Sequence, residues 1–130
     1  MSHLLLWAIR SAFAAALSLV TVFALVPGEE LPTALMLWDK GNHFVAFFTL
    51  ALLLDYSFPY VRGILHHAKW IVLVAYGVGI ECLQWYVGYR AFEVTDMVAD
   101  AIGLATWAVL APFVDLSPRL AALRCMRPEN

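Results

Sequence analysis

Ile80-Glu81-Cys82-Leu83-Gln84-Trp85-Tyr86-Val87-Gly88-Tyr89-Arg90-Ala91-Phe92-Glu93-Val94-Thr95-Asp96-Met97-Val98-Ala99-Asp100 is the stretch on which the reading of this chain turns. Five of its 21 residues are charged, in a chain where only 18 of 130 are. It joins two apolar runs, and Glu81 and Asp100 fall inside them. A charge within an apolar segment costs ~2.5–3.5 kcal/mol on membrane-insertion scales, so it is turned into a bundle and paired rather than left facing lipid. The stretch therefore predicts two packed helices with a polar site where they meet.

Composition points to the bilayer as the solvent. The chain is 63% apolar with a mean hydropathy of +0.79, against the ~45–50% apolar usage of soluble domains. A single domain of 130 residues has too little interior to hide that many apolar side chains. A net charge of −2 without a basic stripe excludes nucleic acid as a natural partner. Two cysteines, Cys82 and Cys125, are too few for a disulfide framework and are read as unpaired thiols.

Working outward, four apolar segments are expected to form membrane helices, over about 4–26, 38–58, 70–87 and 96–114. Hydrocarbon tolerates only helices and closed barrels, so the expectation is an all-α, polytopic membrane protein: one domain, a bundle of four transmembrane helices. The first segment carries Arg10 inside rather than before its apolar run, which argues against a signal peptide. The second run, Phe44 to Leu54, is short for a span of ~20 residues, so its helix should start near Trp38 and include Asp39, Lys40 and His43. Pro59 to Lys69, with Arg62, His66 and His67, is read as a solvated loop.

Orientation follows from the basic residues. Arg10, Arg62, Lys69, Arg119, Arg124 and Arg127 lie on one side, and only Lys40 and Arg90 on the other. Both termini are therefore expected in the cytoplasm. That places Asp39, Lys40, His43, Glu81, Gln84, Arg90, Glu93, Asp96 and Asp100 at the outer end of the bundle. Helical spacing tightens the group. Asp39 and His43 are i,i+4, as are Asp96 and Asp100, and Glu81 and Gln84 are i,i+3, so each pair shares a helix face. At ~1.5 Å per residue, Glu81 should lie roughly 9 Å inward from Val87.

In order along the chain, Asp39-Lys40-x-x-His43-Phe44-x-x-Phe47, Tyr76-Gly77-x-x-x-Glu81-x-x-Gln84, Arg90, Asp96 and a polar residue four positions later resemble the VanZ-like family of small integral membrane proteins. The resemblance covers Trp38 to Gly103, about half of the chain. It implies a multi-pass protein of the bacterial cytoplasmic membrane, and carries the family's association with reduced susceptibility to the glycopeptide teicoplanin. Asp100 stands where the family commonly has asparagine.

Four readings of the polar group follow. It can be an interhelical network that sets helix register. It can bind an anionic cell-envelope lipid, cell-wall precursor or glycopeptide-related ligand, with Lys40, Gln84, Arg90 and Asp100 as ligand-binding residues. It can be a membrane-embedded enzyme site acting on a lipid head group, with His43, Asp39, Glu81 and Asp96 as catalytic candidates. A proton or ion pathway is the fourth, disfavoured by the scarcity of acids in the opposite half of the segments. Alternatively, His43 with two or three of the carboxylates could ligate a divalent metal in a metal-assisted form of the enzyme reading. That set lacks the short spacing of a recognisable metal motif, which makes the metal signal weak, and no cofactor is expected.

Overall fold

The protein is all-helical in a computed structural model that describes residues 3–27, 30, 33, 38–59, 64–88 and 91–125, without the side chains of 64–66 and 122–125. The helices are α1 (His3–Leu25), α2 (Asp39–Ser57), α3 (Ile64–Val87), α4 (Val94–Val114) and a short α5 (Pro118–Cys125). No strand occurs among the described residues.

α2 is the hub. It packs most extensively on α4, then on α1, and also meets α3. Its Phe47, Leu50, Ala51 and Leu54 form the core with Leu73 of α3 and with Leu104, Trp107 and Ala111 of α4. Ile9, Phe13, Leu17 and Val20 of α1 pack against that core. The outward surfaces are apolar instead: Leu4, Trp7 and Val22 on α1, Ile71 and Val72 on α3, and Val109 and Phe113 on α4 are exposed. This inverted distribution is what a bilayer requires, because lipid tails are as apolar as a core.

Three helices are long and apolar enough to cross a membrane: α1, the 67–87 part of α3, and α4. The chain is thus a multi-pass membrane protein. α2 does not reach that apolarity, and the reason is visible in its position. Packed on α1, α3 and α4, it buries Phe47, Leu50, Ala51 and Leu54 against them and carries Asp39, Lys40 and His43 at one end and Asp55 at the other.

α2 and α4 run parallel and in register, with Lys40 beside Asp96, His43 beside Asp100, and Phe48 beside Trp107. Gly103 permits the close approach. A Cβ there would stand 2.5 Å from the Phe44 carbonyl oxygen and 3.0 Å from Phe48 N. α3 ends at Gly88, whose φ of +79° is the left-handed cap conformation that glycine adopts without penalty. Its amide N–H donates back to the Gln84 and Trp85 carbonyls, 3.2 Å in each case.

Two sequence expectations change. α3 starts at Ile64 rather than at residue 70, so His67 and Lys69 are helical and not in a loop. Lys69 is buried, and its ammonium donates to Asp55 Oδ1 at 3.3 Å and to the Phe58 carbonyl at 2.7 Å. Trp107 Nε1 donates to the second Asp55 oxygen at 3.3 Å. The half of the segments thought to lack buried acids therefore holds one. Its lysine sits in apolar surroundings because the carboxylate and carbonyl accept its protons. α4, in contrast, ends at Val114 as expected, two residues beyond Pro112, since a proline near the last turn removes only one ladder bond.

Candidate functional site

Three element ends meet at the site: the first turns of α2 and α4, and the last turns of α3. Helix N-termini favour negative charge, and each of the two contributing ones has an aspartate in its first turn, Asp39 and Asp96. One turn further along, His43 and Asp100 continue the same faces.

The Lys40 ammonium donates to Asp96 and Glu93 and lies 3.7 Å from Asp39 Oδ2. His43 sits between two carboxylates, with Nδ1 2.9 Å from Asp100 Oδ1 and Nε2 3.4 Å from Asp96 Oδ2. Thr95 Oγ1 donates to Glu93 at 3.2 Å. Below this layer, Glu81 Oε2 accepts the Glu93 backbone N–H at 3.1 Å, while Glu81 Oε1 is buried without a hydrogen-bond partner among the described residues. Glu81 is wholly inaccessible to solvent and within electrostatic range of Asp96, His43 and Asp100. Gly77 leaves room for this packing, since a Cβ there would meet Asp100 Oδ2 at 2.9 Å and the Phe47 ring at 3.0 Å.

The cluster is graded from wet to dry. The Lys40 and Glu93 side chains are about half exposed, 48% and 46%, whereas Asp96 is 3% and Asp100 7% exposed. The Lys40 ammonium holds the Glu93 carboxyl below its ordinary 4.5, with the Thr95 hydroxyl assisting. Asp39, His43 and Asp96 each present one ligand atom, and the three atoms lie within 4.8 Å of one another. Chemically, the group can accept hydrogen bonds, hold a cation, or move a proton at the His43 ring.

Of the residues picked out from sequence, Asp39, Lys40, His43, Asp96 and Asp100 converge directly, and Glu81 lies beneath them. Gln84 is buried too, but it donates to the Ala24 carbonyl at 2.9 Å and so ties α3 to α1. Arg90 lies outside the described residues. Glu93, which the sequence places at the outer end without a catalytic or binding role, joins Lys40 to Glu81. It precedes the helix, and no i,i+4 partner on α4 flags it.

No curated protein and no solved structure shows significant similarity to the chain. The VanZ/LLP1 family profile, in contrast, matches residues 3–115, which span all four long helices and every member of the polar cluster. On that match, the chain belongs to the VanZ/LLP1 family.

Proposed function

We propose that the chain crosses the bacterial cytoplasmic membrane four times with both termini in the cytoplasm, and that its polar cluster recognises the head group of a cell-envelope ligand at the outer face. One observation carries the reading: a connected polar network opens at Lys40 and Glu93 and closes on buried Asp96, Asp100 and Glu81. A network serving only as glue has no need of a half-exposed mouth. The positive-inside distribution, six basic residues against two, supports placing that mouth outside.

The carboxylates and His43 suit hydroxyl and amine groups of a ligand. A phosphate or carboxylate on the same ligand would be met at the rim by Lys40, with Arg90 as the second cation that the sequence offers on that side. An anionic envelope lipid, a cell-wall precursor and a glycopeptide all carry such mixed head groups, and teicoplanin enters through the family's association. The test is lipid retention by the purified chain in nanodiscs containing phosphatidylglycerol or phosphatidylcholine. Preferential retention of phosphatidylglycerol, lost on Lys40→Gln or Arg90→Gln with the fold intact, is expected. Equal retention of both lipids by all variants would sink the anionic reading. Tolerance to teicoplanin in cells expressing the chain, compared with His43→Ala, tests the glycopeptide branch.

The second reading is acid–base chemistry on the same head group. It is favoured by His43 being held at both ring nitrogens by carboxylates, which fixes the ring. Head-group turnover that His43→Gln abolishes while ligand retention persists would select it.

A further inference from the structure

We propose that Asp39, His43 and Asp96 form a site for a divalent first-row transition-metal ion, Mn²⁺ or Zn²⁺, with Asp100 as the residue that orients the histidine. This goes beyond head-group recognition and does not depend on it.

The first observation is the ligand set. The three donor atoms lie within 4.8 Å of one another, on two parallel helices that hold them in register. Atoms that close together can all reach one ion, given metal–oxygen distances of about 2.0–2.6 Å. The second is the state of the histidine. Nδ1 is 2.9 Å from Asp100 Oδ1 and Nε2 turns toward Asp96. This is the carboxylate–histidine arrangement that fixes the tautomer of metal-ligating imidazoles. The third is independent of the cluster's own bonds. Glu81 Oε1 is fully buried and has no hydrogen-bond partner among the described residues, and its carboxyl lies within electrostatic range of His43 and Asp96. A buried carboxyl oxygen with no donor costs ~1–3 kcal/mol or more, and positive charge within electrostatic range would offset part of that cost.

Lys40 marks where positive charge belongs, since its ammonium contacts Asp39, Glu93 and Asp96 together. Half-exposed on a flexible stem, it can swing out toward the rim when a metal enters. It therefore acts as a built-in competitor. One imidazole among carboxylates favours Mn²⁺ or Zn²⁺ over Ca²⁺, which prefers oxygen alone.

The experiment uses the full chain in detergent, titrated with Mn²⁺ alone and followed by electron paramagnetic resonance, with Zn²⁺ as competitor. One saturable Mn²⁺ per chain is expected, with a nitrogen coupling from the His43 ring. Asp96→Asn and His43→Gln should each weaken binding at least tenfold, and His43→Gln should remove the nitrogen coupling. Asp100→Asn should weaken binding about 10–100-fold while altering, not abolishing, that coupling. Lys40→Met should tighten binding, about tenfold. Circular dichroism and monodisperse elution establish which variants fold, and the nitrogen coupling in the unsubstituted chain stands even if a variant does not. No saturable Mn²⁺ or Zn²⁺ on the folded chain, no nitrogen coupling, or weaker binding in folded Lys40→Met overturns the assignment. The head-group reading is scored separately by lipid retention in the presence of EDTA. Retention without metal binding removes only this proposal, and metal binding without retention removes only the other.

Discussion

At the level of single residues, the two ends of α2 obey the same rule with different partners. Asp55 illustrates it at the drier end, where it accepts from Lys69 and from Trp107 while only 4% exposed. Removing one member of a buried pair leaves the other charge uncompensated, at a cost of ~3–5 kcal/mol. Asp55→Ala should therefore lower stability in detergent by about that much, read from unfolding by denaturant. The double variant Asp55→Leu with Lys69→Met should recover most of it, because replacing both partners by apolar groups is often neutral. Failure of the double variant to recover would show that Trp107 or other contacts of Asp55 dominate. At the wetter end, Glu93 yields a prediction in pH. Its folded value lies below its ordinary 4.5 because Lys40 and Thr95 bond the ionised form. A depressed value stabilises the fold above the unfolded value, and that contribution disappears as pH falls through the folded one. The melting difference between the unsubstituted chain and Glu93→Gln should be full at pH 7 and vanish in strong acid. A constant difference would refute the pairing.

Between elements, glycine positions set how closely helices meet. Gly103 brings α4 onto the α2 backbone, and Gly77 lets α3 pass Asp100 and Phe47. Gly103→Ala forces a methyl against the Phe44 carbonyl and should destabilise by ~1–3 kcal/mol, the usual scale for overpacking. Gly77→Ala should in addition displace Asp100 from His43, so metal or ligand binding should fall more than stability does. Gly79 provides the control, because a Cβ there meets nothing within 4 Å. Gly79→Ala should be neutral or slightly stabilising, as expected of alanine in a helix. Thermal unfolding of the three variants ranks them, and an equal loss at Gly79 would mean that helix flexibility rather than packing is measured.

For the molecule as a whole, the two polar groups are separated along α2 by the 12 residues from His43 to Asp55, roughly 18 Å of helix. Between them the core is apolar: Phe47, Leu50, Ala51, Leu104 and Trp107. That filling argues against a continuous proton path despite a buried acid at each end. The proposed topology has its own check. Fluorescent reporters fused to either terminus should be active in the cytoplasm, and a membrane-impermeant thiol reagent should label Glu30→Cys from outside in a cysteine-free background. Labelling only after permeabilisation would invert the orientation and move the polar mouth to the cytoplasmic face.

By itself the sequence determined the membrane setting, the helical class and most members of the polar cluster. Hydropathy and composition report the solvent directly. The i,i+4 spacings Asp39–His43 and Asp96–Asp100 report which side chains share a face, whatever the helices pack against. The same logic reached the Ile80–Asp100 stretch and its partner turn at Asp39–His43. Tertiary structure alone decided the rest. Lys69 reads as a loop charge until α3 is seen to begin at Ile64 and bring it onto Asp55. Gln84 shares a helix face with Glu81 in the sequence, and only the fold shows that α1 presents the Ala24 carbonyl to it. Glu93, outside any helical period, is recruited by Lys40 from 53 residues away. Local spacing encodes the face of one helix; which face of which neighbour it meets depends on packing between segments distant in sequence, and no local period records that.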